Sequence, residues 1–134
     1  MLREDDLERA ARSVVDCGYH LHRELGPGLL ESAYEALMAE AVRQVGFHVQ
    51  RQVPVRMSYK GVVIENAFRI DLLVENSLVV ELKSIERLAP VHGKQVLTYL
   101  RLMELPLGLL INFGQGTFKD GIRRIANDYY GQFR

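Results

Sequence analysis

Two apolar runs separated by three residues, Arg69-Ile70-Asp71-Leu72-Leu73-Val74 and Leu78-Val79-Val80-Glu81-Leu82-Lys83, constrain the fold more than any other part of this sequence. Both have strand length and strand composition, and Glu75-Asn76-Ser77 between them supplies turn residues, so the pair predicts a hairpin. A strand sends alternate side chains to opposite faces. Glu81 and Lys83 therefore share one face while Val80 and Leu82 share the other. Residues opposed across a hairpin lie on the same face, so Asp71 joins Glu81 and Lys83 only if the loop has an odd number of residues. Glu75-Asn76-Ser77 meets that condition, whereas a two-residue loop would turn Asp71 away.

Two carboxylates held close together in apolar surroundings repel, and burial pushes at least one of them toward its neutral form unless a cation intervenes. A divalent metal resolves the conflict. Mg²⁺ takes oxygen ligands at about 2.0–2.1 Å, commonly one or two carboxylates completed by water and phosphate oxygens. Lys83 then suits an attacking water or the charge growing on a phosphate. The same residues are equally able to form a plain ion pair on a strand, since Glu-x-Lys is a common strand pattern.

At 134 residues the chain is sized for one domain, here expected to span 1–134, and its 48% hydrophobic and 25% charged content is ordinary for a soluble protein. Basic and acidic residues balance at 17 each, so net charge by itself points to neither nucleic acid nor membrane. A local basic rim could still form from Arg51, Lys60, Arg87, Lys94, Arg101, Lys119, Arg123 and Arg124. The lone Cys17 has no internal disulfide partner and falls on the apolar side of a helical pattern, which implies a reducing compartment. No apolar run approaches the roughly 18 residues needed to span a bilayer, and the expected location is cytoplasmic, with no membrane partner.

Along the chain, Leu7, Ala11, Val14, Gly18, Leu21 and Leu25 recur at helical spacing, with Asp5 and Glu8 as a capping box, so residues 5–24 should be helical. After Gly26-Pro27-Gly28, one face of a second helix is marked by Leu30, Ala33, Tyr34, Leu37, Met38, Ala41 and Val45, with Glu31 in its first turn and its end near Gly46. Alternation then takes over through Val49, Val53, Val55, Met57 and Tyr59, a Lys60-Gly61 turn and Val62-Val63-Ile64, leading into the hairpin above. Three antiparallel strands follow one another. Pro54 should mark an edge or a bulge, because it cannot donate to the ladder.

Pro90 suits the first turn of a third helix reaching about Glu104, in which His92, Gln95 and Tyr99 form a polar flank beside Val96, Leu97, Leu100 and Met103. The continuous apolar run Leu107 to Phe113 predicts a strand covered on both faces. A helix linking two strands of one sheet makes them parallel, so this strand should lie beside the Glu81 strand. Between Phe118 and Ile125 the pattern fits a short strand or a helical turn equally.

The segment Gly28-Leu29-Leu30-Glu31-Ser32-Ala33-Tyr34 resembles the signature of the GxxExxY protein family, a branch of the PD-(D/E)XK nuclease superfamily. The resemblance runs from His22 to Asn127, through Asp71, Glu81-Leu82-Lys83, His92-Gly93-Lys94-Gln95, Tyr99-Leu100-Arg101 and Leu109 to Gly114. It implies an α/β fold with a restriction-endonuclease-like core, helix, three strands, helix, strand (α-β-β-β-α-β), in which helices flank a mixed central sheet and an additional helix precedes it.

The resemblance also implies roles. Asp71 and Glu81 would hold the metal together with the Leu82 backbone carbonyl, Lys83 would assist the hydrolytic water, and Glu31 would be an additional acid, catalytic and a candidate further ligand. Gln95 and Tyr99 match a Gln-x-x-x-Tyr motif that lies beside the active site in recombination-type members. Read from the residues, Arg69 shares a strand face with Asp71 and could contact a phosphate, and His92 suits a polar flank or substrate contact, since no second histidine or cysteine lies at ligand spacing. Tyr34 is read as packing. One departure from the superfamily pattern is Ile70, where a proline commonly precedes the first acid.

The expected activity is a Mg²⁺- or Mn²⁺-dependent phosphodiesterase acting on nucleic acid, with DNA the favoured substrate. Its counterpart is a catalytically inactive module of the same fold that binds nucleic acid or a protein. A homodimer is left open, because the helix at 5–24 could dock on its own copy and cutting two strands often takes two sites.

Overall fold

A computed structural model describes residues 2–127. The first helix, α1 (Glu4–Leu25), starts one residue earlier than its sequence pattern and is capped by Arg3 with no side-chain hydrogen bond. The capping box expected of Asp5 and Glu8 does not form. Glu4, Asp5 and Asp6 instead place three negative charges in the first turn, where the helix macrodipole favours them.

The second helix, α2 (Glu31–Gln44), occupies the expected span and buries Tyr34 and Met38 of its expected face, but the face is rotated to take in Glu35, Ala39 and Val42 as well. Leu30, Leu37 and Val45, counted in the apolar stripe, are exposed. Tyr34, Met38 and Val42, spaced four apart, set the contact line against the sheet, and that line carries Glu35 into the protein.

The strands are β1 (Val49–Tyr59), β2 (Val62–Val74) and β3 (Leu78–Lys83), joined as an antiparallel meander. Lys60 and Gly61 both have positive φ, 47° and 80°, which is the two-residue turn whose twist matches a hairpin. Pro54 lies in β1, an edge strand, and the register shifts nearby between Val55 and Met57, as its missing N–H predicts. The third helix, α3 (Pro90–Met103), then crosses to β4 (Leu107–Asn112), which runs parallel to β3 and beside it. The undecided tail is both things in turn: a 3-10 turn at Phe118–Gly121 followed by β5 (Ile122–Ala126), antiparallel to β4. The sheet order is β1-β2-β3-β4-β5.

Helices cover both faces. On one, α1 and α2 pack Leu7, Val14, Tyr34, Met38 and Val42 against Leu72, Val80, Leu82, Leu109 and Ile111. On the other, α3 packs Val96 and Leu100 against Leu73, Val79 and Leu110. The central strands β3 and β4 contribute to both clusters, which is why Leu107 to Phe113 reads as an unbroken apolar run. Each fully buried leucine or valine there is worth about 1.5–3 kcal/mol, so the middle of the sheet is the rigid platform from which the strand ends project. Among the described residues no helix is long and apolar enough to cross a membrane. Cys17 is half-buried against the α1 side of the core and unpaired.

Candidate active site

The hairpin register decides the geometry. Val74 pairs with Leu78, Leu73 with Val79 and Leu72 with Val80, closing the odd loop Glu75-Asn76-Ser77. Continued by one couple, that register sets Asp71 opposite Glu81. The backbone pairing stops there, and Asp71 Oδ2 accepts the Leu82 N–H at 2.8 Å. The side chain of the first acid thus occupies the gap where the two strands separate.

The charges of Asp71 and Lys83 both act on Glu81, so the three groups share one electrostatic field. Glu81 is 8% exposed, and its Oε1 is buried without a hydrogen-bond partner. Burial above all, then the nearby Asp71 charge, push its pKa up to about 8, with Lys83 acting in the opposite sense. Asp71 is raised as well, by burial first. The Leu82 N–H works against that shift, and the charge of Glu35 adds to it. The two carboxyls are close enough to hydrogen-bond when one carries a proton.

Glu31 reaches the same field from α2. Its pKa is raised by burial, then by Asp71, while Lys83 and the backbone N–H of Ser84 favour its charged form. The segment before it is held by Tyr34, whose hydroxyl donates to the Gly26 carbonyl, accepts the Leu29 N–H at 3.2 Å, and whose ring stacks on Phe113 at 4.2 Å. Tyr34 is a packing residue, as expected, and its packing fixes where Glu31 begins. The connection after Lys83 is fixed by Asn112. Its buried amide accepts from the Ile85 N–H at 3.0 Å and donates to the Ile85 carbonyl at 2.9 Å. Gly114 lies so close that an added Cβ would sit 2.2 Å from the Ile85 oxygen.

From the other face of the sheet, Tyr99 stacks on Phe68 with ring centroids 4.0 Å apart. Its pKa is raised by burial and then by the charges of Glu81 and Asp71, so α3 does bring this tyrosine to the acids. Gln95 is exposed one helical turn earlier on the same face. His92 is committed locally: its Nδ1 accepts the Ala89 N–H at 2.9 Å at the start of α3. Arg69 is exposed on β2, two residues before Asp71, and pairs with Pro54 across the strands.

Two neighbours were not singled out in the sequence. Glu35, one turn after Glu31, is 7% exposed, with one oxygen on Arg51 (Nη2 at 3.0 Å, Nε at 3.1 Å) and the other on Gln52 at 2.5 Å. Gln52 also donates to Asp71 Oδ1 at 3.3 Å. The Glu31-x-x-x-Glu35 spacing was the available signal, since it puts both acids on one helical face. A cavity of about 610 Å³ lies elsewhere, between α1 and β5 around Ala11, Tyr19, Phe118 and Ile122, and none of these carboxylates lines it.

The model of the PD-(D/E)XK nuclease superfamily matches residues 8–125. The chain belongs to that superfamily. No curated protein and no solved structure is similar enough to count as a match. The five-stranded mixed sheet with helices on both faces is the restriction-endonuclease-like fold of PD-(D/E)XK proteins, and the superfamily supports a nuclease-type function. Among the described residues, no three histidine, cysteine, aspartate or glutamate side chains converge into a metal-holding group. What the site does hold is the carboxylate pair Asp71 and Glu81, and one or two carboxylates is the number Mg²⁺ commonly takes from a protein.

Proposed function

We propose that this chain is a divalent-cation-dependent phosphodiesterase of the PD-(D/E)XK superfamily, acting on nucleic acid with DNA as the favoured substrate. The reading is carried by one observation: a buried Glu81 oxygen without a partner, beside a second carboxylate and a lysine. An unpaired buried acceptor costs free energy, and a cation removes that cost.

Asp71 and Glu81 would hold the ion, Mg²⁺ or Mn²⁺. Leu82 N–H points toward β2, and in a strand the carbonyl of the same residue points the same way, so the Leu82 carbonyl is aimed at the opening beside Asp71. When bound, the cation supplies positive charge to a scissile phosphodiester and to the water that attacks it. Lys83 orients that water or balances charge developing on the phosphate. Glu31 completes the acidic field from α2, and Tyr99, Gln95 and Arg69 offer donors for the nucleic-acid backbone. His92 uses Nδ1 at the α3 start, which leaves Nε2 as the ring nitrogen for a substrate contact. The Gly28-x-x-Glu31-x-x-Tyr34 segment supports a reading of the chain as a member of the GxxExxY branch, because the tyrosine anchors the turn that delivers the glutamate.

The test is incubation of purified protein with plasmid and single-stranded substrates in Mg²⁺, Mn²⁺ or EDTA, beside Asp71→Ala. Cleavage that needs the ion and Asp71 is expected. Binding without cleavage, unchanged in Asp71→Ala, would make the chain an inactive nucleic-acid-binding module instead.

A further inference from the structure

Gln52 has a backbone φ of 51° in the middle of β1. That left-handed conformation is uncommon for any residue but glycine and asparagine and costs about 1 kcal/mol or more. Arg51 pairs with Leu72 and Val53 with Ile70, so the same register sets Gln52 opposite Asp71, the one couple between them that does not pair. The backbone departs from the ladder where the side chain is needed. The amide Nε2 donates to Glu35 Oε1 and to Asp71 Oδ1. Both acceptors are carboxylate oxygens, so the NH₂ end must face them, because the amide oxygen would repel both. Arg51 holds the remaining oxygen of Glu35 through two guanidinium nitrogens.

We propose that Gln52 is a positioning residue: it fixes the orientation of Asp71 for a divalent cation, and Arg51 and Glu35 hold Gln52 in place. This rests on the reading of Asp71 and Glu81 as cation ligands. The residue type matters. A lysine or arginine opposite Asp71 would neutralise the carboxylate and compete with the ion. An amide orients one oxygen, as Leu82 N–H orients the other, and leaves the negative charge available. Partners that orient a ligand from outside the ligand sphere typically change metal affinity by about 10–100-fold when removed.

The experiment measures Mn²⁺ binding from the loss of the free-ion electron paramagnetic resonance signal, for wild type, Asp71→Ala, Gln52→Gly and Gln52→Asn. Glycine relieves the positive φ and asparagine tolerates it, which offsets part of the cost of leaving Glu35 Oε1 without the amide, so both variants should stay folded and unfold cooperatively, at a lower melting temperature than wild type. Neither can place an amide on Asp71. Both should bind Mn²⁺ about tenfold or more weakly. The ion concentration for half-maximal cleavage should rise by the same factor, with KM for nucleic acid unchanged. If either variant unfolds, the other decides. Wild-type Mn²⁺ affinity in a folded Gln52 variant overturns the positioning role while leaving the cation site standing. If wild type binds no better than Asp71→Ala, the cation reading itself fails and the role of Gln52 falls with it.

Discussion

Glu35 and Glu81 are buried to nearly the same degree, 7% and 8% exposed, yet they sit in opposite chemical situations. Glu35, where α2 meets β1, has both oxygens taken, by the Arg51 guanidinium and by the Gln52 amide. Glu81, at the end of β3, has a buried oxygen with no partner and Asp71 as its neighbour. Burial of an acid is therefore not itself the mark of a reactive centre. The mark is the partner left out: one glutamate completes a structural network, and the other leaves room for a proton or a cation.

Removing the chemistry should break this contrast most sharply. Asp71→Ala and Lys83→Ala are expected to lower ion-dependent cleavage by about 10²–10³-fold or more while the urea midpoint changes little, read from initial rates and equilibrium unfolding on the same samples. The structural glutamate should respond in the opposite way. Arg51→Ala strands the Glu35 charge, and since the arginine is 41% exposed the cost is about 1–3 kcal/mol of stability, below the full value for a buried pair. Adding Glu35→Gln to that variant should restore part of the loss.

Glu81→Gln sharpens the comparison through pH. Its folded pKa of about 8 lies above the ordinary value of 4.5, so the folded state keeps a proton that the unfolded state has lost between those values. Without divalent ions, stability should therefore fall as pH rises from about 4.5 to about 8 and level off above that. Glu81→Gln should flatten the slope and, at pH 8, gain on the order of 1–2 kcal/mol over wild type, even as cleavage is lost. The smallest effect is expected of Tyr99→Phe. It keeps the stack on Phe68 and removes one hydroxyl, so cleavage should fall by less than about tenfold.

The parts of the site that depend on strict periodicity were legible in the sequence. Strand alternation and an odd loop are sufficient to bring Asp71 to Glu81 and Lys83, and a helix between two strands is sufficient to set β4 parallel to β3. What was hidden depends on tertiary contact. The apolar stripe of α2 includes Leu30, Leu37 and Val45 beside Tyr34 and Met38, but the sheet receives only Tyr34 and Met38 of these together with Val42, and Glu35 travels with them. A glutamine carries no signal for a positive φ, so the bend at Gln52 could not be read at all. At α1, three acids in the first turn take the place of the expected capping box, and His92 accepts the Ala89 N–H at the α3 start.

The most direct test of the account is a carbon-13 NMR titration of the glutamate side-chain carboxyls, with the Glu81 signal assigned from Glu81→Gln. In EDTA, Glu81 should titrate near pH 8, apart from the exposed glutamates, and Mg²⁺ should move it back toward the ordinary carboxylate range. Glu81 titrating with the exposed glutamates near 4.5 and ignoring Mg²⁺ would contradict the claim that its buried oxygen waits for a cation.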